Sequence, residues 1–180
     1  MKKDVLKVEV YRDGDVFEYS NEECQFGYRE SIFKHDGGVV LRVHLQLAEA
    51  DPDAILMKQA LEHLQYRNST QPQGFASSGC IFANADFQSN KAQLLTHFEG
   101  NEKIAQFEKV GKISAGWLVE QAGMKGKRVG NVEISEKHGN FLVNLGDATA
   151  SDVVQLIDEV KEAVYTRYGI TLEEEVSIFN

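Results

Sequence analysis

Cysteine, proline and any surplus of positive charge are scarce in this sequence, and each shortage removes a class of protein. Only two cysteines, Cys24 and Cys80, occur among 180 residues. That is too few for a disulfide-stapled scaffold, so both are expected as reduced thiols. Two prolines exclude a collagen-like or polyproline chain. Against 28 acids stand 19 Lys and Arg, a net charge of −9. Without a basic field to neutralise phosphates, neither nucleic acid nor an anionic membrane is expected as a partner. No apolar run reaches the roughly 20 residues of a membrane span. Met1-Lys2-Lys3-Asp4 leads into no apolar leader core, so a cytoplasmic location is expected. Neither GxGxxG nor a P-loop is present. The histidines at 35, 44, 63, 97 and 138 lack metal-ligand spacing with one another or with the cysteines, and no metal is expected.

What remains is an ordinary globular balance, 42% hydrophobic and 26% charged. Leu6, Val8 and Val10 alternate with Lys7 and Glu9, and Asp13-Gly14 supplies a turn before Val16-Phe17-Glu18-Tyr19, which predicts a hairpin. Ser20-Asn21-Glu22-Glu23 has capping-box spacing and predicts a short helical turn. Val39, Leu41, Val43, Leu45 and Leu47 alternate with polar residues and predict one strand with one apolar face. Asp51-Pro52 should open a helix with Met57, Ala60, Leu61 and Leu64 as its stripe. The polar run from Arg67 to Pro72 should end it at a subdomain boundary. Residues 89–111 carry too weak a pattern to assign. Ser114 to Gly123 predicts a capped helix, Val129–Ile134 and Phe141–Leu145 strands, and Thr149 to Gly169 the longest helix. Ile170 to Phe179 alternates like a strand. The order indicates an α+β fold rather than a regular βαβ series.

Four features have chemical potential, each with a plainer structural reading beside it. Tyr28-Arg29 sits among aromatics, where an Arg fork can grip a carboxylate or simply pair with Glu30. Ser77-Ser78-Gly79-Cys80 precedes Ile81-Phe82-Ala83-Asn84. A thiol with an unperturbed pKa of roughly 8.5 can donate a proton, yet such a residue is more often a small core side chain. Lys125-Gly126-Lys127-Arg128 with Ser135-Glu136-Lys137-His138 could hold a diphosphate or form a solvated turn. Alternation in Glu173-Glu174-Glu175 directs at least one acid inward, where it must be paired or functional.

Taken in order, these segments resemble the MurB family of UDP-N-acetylenolpyruvoylglucosamine reductases. Gln25-Phe26-Gly27-Tyr28-Arg29-Glu30-Ser31-Ile32-Phe33-Lys34 is similar to its tyrosine–arginine motif, and Ser78-Gly79-Cys80-Ile81-Phe82 to its proton-donor loop. The run from Ser114-Ala115-Gly116-Trp117 to Lys125-Gly126 resembles its most distinctive segment. Ser135-Glu136-Lys137-His138 through Asn144, and Leu172 to Ile178, complete the series. The resemblance implies FAD- and NADPH-dependent reduction of UDP-N-acetylglucosamine enolpyruvate to UDP-N-acetylmuramate, a step of peptidoglycan precursor synthesis. It implies catalytic roles for Arg29 on the substrate carboxylate, Cys80 as proton donor to C2 and Glu175 beside the enolate. Tyr28, Asn84 and His138 match positions associated with substrate binding. The donor is usually serine and in some members cysteine. The chain has Ala83-Asn84-Ala85 where the family commonly has Lys-Asn-Pro. On this resemblance, residues 1–68 correspond to the tail of a flavin-binding domain's second lobe and residues 69–180 to the substrate-binding domain. Most of the FAD site would lie outside this chain, in a flavin-domain partner. The alternative is a flavin-free module that binds a nucleotide sugar without catalysis.

Overall fold

The computed structural model describes residues 2–35, 37–49 and 55–178. They mix helices with short antiparallel sheets and fall into two units, residues 1–59 and residues 60–180.

In the first unit, strands β1 (Val5–Arg12), β2 (Asp15–Ser20) and β3 (Val39–Leu45) form a sheet of order β2-β1-β3. Asp13 and Gly14 both take positive φ, 52° and 97°. A two-residue turn of that kind matches the right-handed twist of the flanking strands. The Ser20–Glu23 pairing is present: the Ser20 N–H donates to the Glu23 carboxylate at 2.8 Å. It closes one turn, with the Cys24 N–H on the Ser20 carbonyl. Val8, Val10 and Cys24 are buried, and Tyr19, Phe26 and Phe33 pack against them.

Strict alternation in β3 does not hold. Val40 pairs with Val10 and Arg42 with Glu9, so Leu41 is an extra residue that shifts the faces. Val39, expected with Val43, pairs instead with Tyr11 on the other side of that shift. Helix α1 (Ile55–Thr70) ends near the expected point, while its expected opening at Asp51-Pro52 lies outside the described residues. Its predicted apolar stripe exists, but it buries nothing: Met57 is 66% exposed and Leu61 53%.

In the second unit, β4 (Ala85–Asp86) pairs with β5 (Lys112–Ile113) around two helices, α2 (Phe87–Phe98) and α3 (Lys103–Val110). These helices occupy the stretch that carried no clear sequence pattern. They begin and end on local signals: the Asp86 carboxylate accepts from the Ser89 N–H, and Gly111 closes α3 at φ 75°. Helix α4 (Ala115–Gln121) starts at Ser114, whose hydroxyl accepts from the Trp117 N–H. The expected strand Val129–Ile134 is a tight hairpin, β6 (Arg128–Val129) and β7 (Val132–Ile134), turned by Gly130 at φ 52°. Strand β8 (Leu142–Asn144) completes the sheet β6-β7-β8. Helix α5 (Ala150–Tyr168) opens with a capping box between Thr149 and Asp152 and closes at Gly169. Leu156, Ile157, Val160 and Val164 of α5 meet Phe82, Phe87, Leu94, Trp117 and Leu118 in one core. After α5 the described residues make one isolated bridge, at Glu174, rather than a continuous strand.

Candidate functional site

The first unit carries Tyr28 and Arg29 on a turn closed by the Gly27 N–H on the Glu30 carbonyl at 2.8 Å. Arg29 has φ 56°, left-handed backbone that a residue with a Cβ seldom adopts. Both side chains are exposed, and the Arg29 guanidinium lies over the Tyr28 ring, 5.6 Å from its centroid. Glu30, the plainer partner, accepts from the Ser31 N–H and contacts His35 at 3.1 Å. The Ser31 N–H, together with His35 and Lys34, holds the Glu30 carboxyl below its usual range.

The second unit brings together Cys80, Asn84, His138 and Glu175. Residues 80–83 run as an extended segment between two others. On one side Cys80 bridges Phe141, and the Ile81 N–H donates to the Asn140 carbonyl at 3.0 Å. On the other side Phe82 bridges Glu174. The Ala83 N–H reaches the Glu173 carbonyl at 2.9 Å, and the Glu175 N–H reaches the Ile81 carbonyl at 2.7 Å. Cys80 and Glu175 therefore lie on adjacent segments, both half-buried. Ile81 and Phe82 are buried anchors for this arrangement. Of the three acids, Glu174 is neutralised by Lys161 at 2.8 Å, and Glu173 is exposed.

Asn84 turns its side-chain carbonyl to the Ala115 N–H at 3.1 Å, which ties the end of the extended segment to the start of α4. His138 lies against the same helix. A Cβ on Gly116 would stand 3.0 Å from the His138 ring, and one on Gly139 would stand 2.6 Å from the Gly116 carbonyl. Glycine at both positions lets the imidazole approach the helix backbone this closely. The Asn140 N–H donates to His138 Nδ1 at 3.2 Å, so Nε2 carries the ring proton in the neutral form. Burial holds the His138 pKa below the ordinary histidine value, and the Lys125 charge adds to the effect.

His138 borders a cavity of about 150 Å³ with Ser114, Glu120 and the three lysines Lys103, Lys125 and Lys137. This volume is well under the roughly 300–1,000 Å³ of a typical small-molecule pocket, so it suits an anionic group and not a whole nucleotide sugar. The two basic runs seen in the sequence divide here. Lys125 and Lys137 line this cavity, Lys125 also meeting Glu120 at 3.5 Å and Lys137 donating to the Asn68 carbonyl at 2.6 Å, while Lys127 pairs with Glu159 at 3.1 Å and Arg128 holds Gly130 and Asn131. A second, mostly apolar groove of about 390 Å³ lies beside the segment before Cys80, lined by Ser77, Ser78, Leu142, Asn144 and Val153. Sequence reading missed Asn140, a buried polar residue at the centre of the site. Its signal was weak: one amide between a glycine and a phenylalanine. It also missed Lys103, which only the fold brings to His138. Among the described residues, no group of His, Cys, Asp or Glu could hold a metal ion, and no helix is long and apolar enough to cross a membrane.

Residues 71–179 match the C-terminal domain family of UDP-N-acetylenolpyruvoylglucosamine reductase. The chain is 35% identical over 180 residues to the reductase of that name from Anoxybacillus flavithermus, covering 99% of this chain and 51% of that relative. It is 37% identical over 170 residues to the Bacillus subtilis reductase, covering 94% of this chain and 48% of that one. The crystal structure of the Thermus caldophilus reductase (MurB) superposes with a TM-score of 0.73 at 36% identity, covering 99% of this chain and 54% of that one. The chain thus spans about half the length of the curated relatives it matches. It belongs to the UDP-N-acetylenolpyruvoylglucosamine reductase C-terminal domain family.

Proposed function

We propose that this member of the family supplies the substrate side of a UDP-N-acetylenolpyruvoylglucosamine reductase, with the flavin held mainly by a region outside the chain. The observation that supports this most is the pairing of residues 80–83 with residues 173–175, which sets the thiol-bearing residue beside Glu175. FAD, with NADPH as its reductant, would supply hydride to the enolpyruvyl group from a site held mainly outside the chain. The described residues do not fit a whole FAD. Their positive-φ glycines are single turn or cap positions, with no glycine-rich loop before a helix to cradle a pyrophosphate.

The chain's own residues act on the enolpyruvyl substrate. Arg29, with Tyr28 beneath its guanidinium, pairs with the substrate carboxylate and stabilises the charge that develops there in the enolate. Cys80 gives its proton to C2, and a thiol needs less assistance for this than an alcohol. Glu175 assists from the adjacent segment. His138 and Asn84 hold the nucleotide-sugar portion, with Lys103, Lys125 and Lys137 drawing in its diphosphate. Residues 1–68 belong to the flavin domain's second lobe and residues 69–180 to the substrate domain in this reading.

The test supplies the flavin-binding half of the Bacillus subtilis relative, fused or in trans, and follows NADPH oxidation at 340 nm. Oxidation that depends on UDP-N-acetylglucosamine enolpyruvate is expected. An assembly that binds FAD yet never oxidises NADPH with this substrate overturns the reading. A second reading, a nucleotide-sugar module without redox chemistry, is favoured by a cationic cavity contained within one unit. Binding of the UDP sugar by the isolated chain, combined with inactivity of the FAD-loaded assembly, would select it.

A further inference from the structure

We infer that Asn140 is a positioning residue that holds the Cys80 segment in register and orients His138 at the same time. Asn140 is 4% exposed, one of the few buried polar side chains of the described residues. Its carboxamide grips one peptide unit from both sides. Oδ1 accepts from the Phe82 N–H at 2.9 Å, and Nδ2 donates to the Phe82 carbonyl at 2.8 Å. A carboxamide carries the same donor and acceptor as a backbone peptide group. It therefore continues the ladder one step beyond the point where the Asn140 carbonyl takes the Ile81 N–H. The bridge from Phe82 to Glu174 leaves the Phe82 N–H and carbonyl facing away from residues 173–175. Without Asn140, both groups would be buried without a partner. From the same residue, the backbone N–H fixes His138 Nδ1 as an acceptor. One side chain and its own peptide group thus connect the thiol segment, the residues beside Glu175 and the histidine of the cationic cavity.

This inference rests on the proposed role of Cys80, but its test needs no turnover. The rate of alkylation by iodoacetamide is measured by mass spectrometry separately at Cys80 and at Cys24, across about pH 5 to 8. Cys24, fully buried in the first unit with burial raising its thiol pKa, is the internal reference. Trp117, the single tryptophan and buried in the second unit, reports the fold through its emission. In Asn140→Leu the segment opens more often, and Cys80 reacts about tenfold faster than in the wild type while Cys24 is unchanged. Asn140→Asp separates positioning from bulk. Protonated, its carboxyl offers one donor and one acceptor like the amide; ionised, it repels the Phe82 carbonyl. Burial at this position, 4% exposed, together with the facing Phe82 carbonyl, raises that carboxyl's pKa well above the ordinary value of about 4. The variant's Cys80 rate relative to wild type should therefore stay near one at about pH 5 and rise about tenfold by pH 8. Should Asn140→Leu expose Trp117, the aspartate series decides. Cys80 rates within about twofold of wild type in both variants overturn the inference. So does a ratio in Asn140→Asp that is raised but independent of pH, or Trp117 exposed in that variant at about pH 5. An active Cys80→Ala enzyme would instead overturn the proposed function and leave the Asn140 clamp standing.

Discussion

The two units spend similar apolar residues in opposite ways. In the unit spanning residues 60–180, Leu156, Val160, Leu118 and Phe87 are fully enclosed and form one continuous core. In the unit spanning residues 1–59, a small cluster lies under the sheet, yet Val39, Leu41, Val43 and Leu45 of β3 remain 61%, 52%, 48% and 46% exposed. Helix α1, which crosses the division, buries no side chain. Large contiguous apolar exposure is rare on self-sufficient surfaces and marks places that another surface covers. The second unit thus contains its own stability and the Cys80, Glu175 and His138 groups, whereas the first presents apolar surface and Arg29.

The largest effect is expected at Cys80, the proposed proton donor. In the assembly that carries a flavin-binding half, Cys80→Ala should lower kcat by about 10²- to 10⁴-fold, while Cys80→Ser retains part of the rate. A steady-state comparison at saturating substrate checks this, and equal rates for Cys80→Ala and wild type would falsify the donor assignment. Next comes stability. Leu156→Ala in the enclosed core should cost about 2–5 kcal/mol, read from urea unfolding by Trp117 emission. Leu41→Ser on the exposed strand should stay within about 0.5 kcal/mol in the isolated chain. Equal losses at the two sites would erase the contrast between the units.

How much could be read from the sequence cuts across that contrast. Elements with a complete local code were legible: the Asp13-Gly14 hairpin, the Ser114 cap of α4, and the Thr149–Asp152 box with Gly169 around α5. Helices α2 and α3 were not, because few of their residues are buried: Phe87 and Leu94 in one, Phe107 in the other. With so few inward positions, no period emerges. The face of β3 was misread because a bulge obeys the partner strand's register, which alternation within one segment does not contain. Candidate residues could be named from the sequence where motif and chemistry coincided, as at Cys80 and His138. Asn140 escaped because its role is to complete the hydrogen bonding of Phe82, a residue 58 positions away in the chain.

A smaller effect tests whether local signals or the core set the second unit's stability. The Thr149 hydroxyl accepts from the Asp152 N–H at 3.1 Å, and the Asp152 carboxylate returns to the Thr149 N–H at 2.9 Å. Thr149→Ala should cost about 1 kcal/mol by thermal unfolding. A loss approaching that of Leu156→Ala would mean the cap, rather than the enclosed face of α5, limits the unit.

The smallest effect is one of pH, and near neutrality it turns on one histidine of the second unit. His138 is half-buried, with a folded pKa held below the ordinary histidine value, chiefly by burial. The unfolded chain therefore binds a proton there, near pH 6.5, before the folded chain does. Stability from this site is fully present above about 6.5 and is lost as pH falls from there through the lower folded pKa. The shifted carboxylates, Asp4, Glu9, Glu23 and Glu30 in the first unit and Asp86 and Glu159 in the second, are all lowered, chiefly by hydrogen bonding. Their contribution is lost only as pH falls below the usual carboxylate range of about 4. Between about pH 7.5 and 5.5, the urea midpoint reported by Trp117 should fall slightly in the wild type. In His138→Gln it should hold nearly level over the same range. An identical slope in the variant would mean that another group in the second unit, not the imidazole beside the lysine cavity, takes up the proton on unfolding.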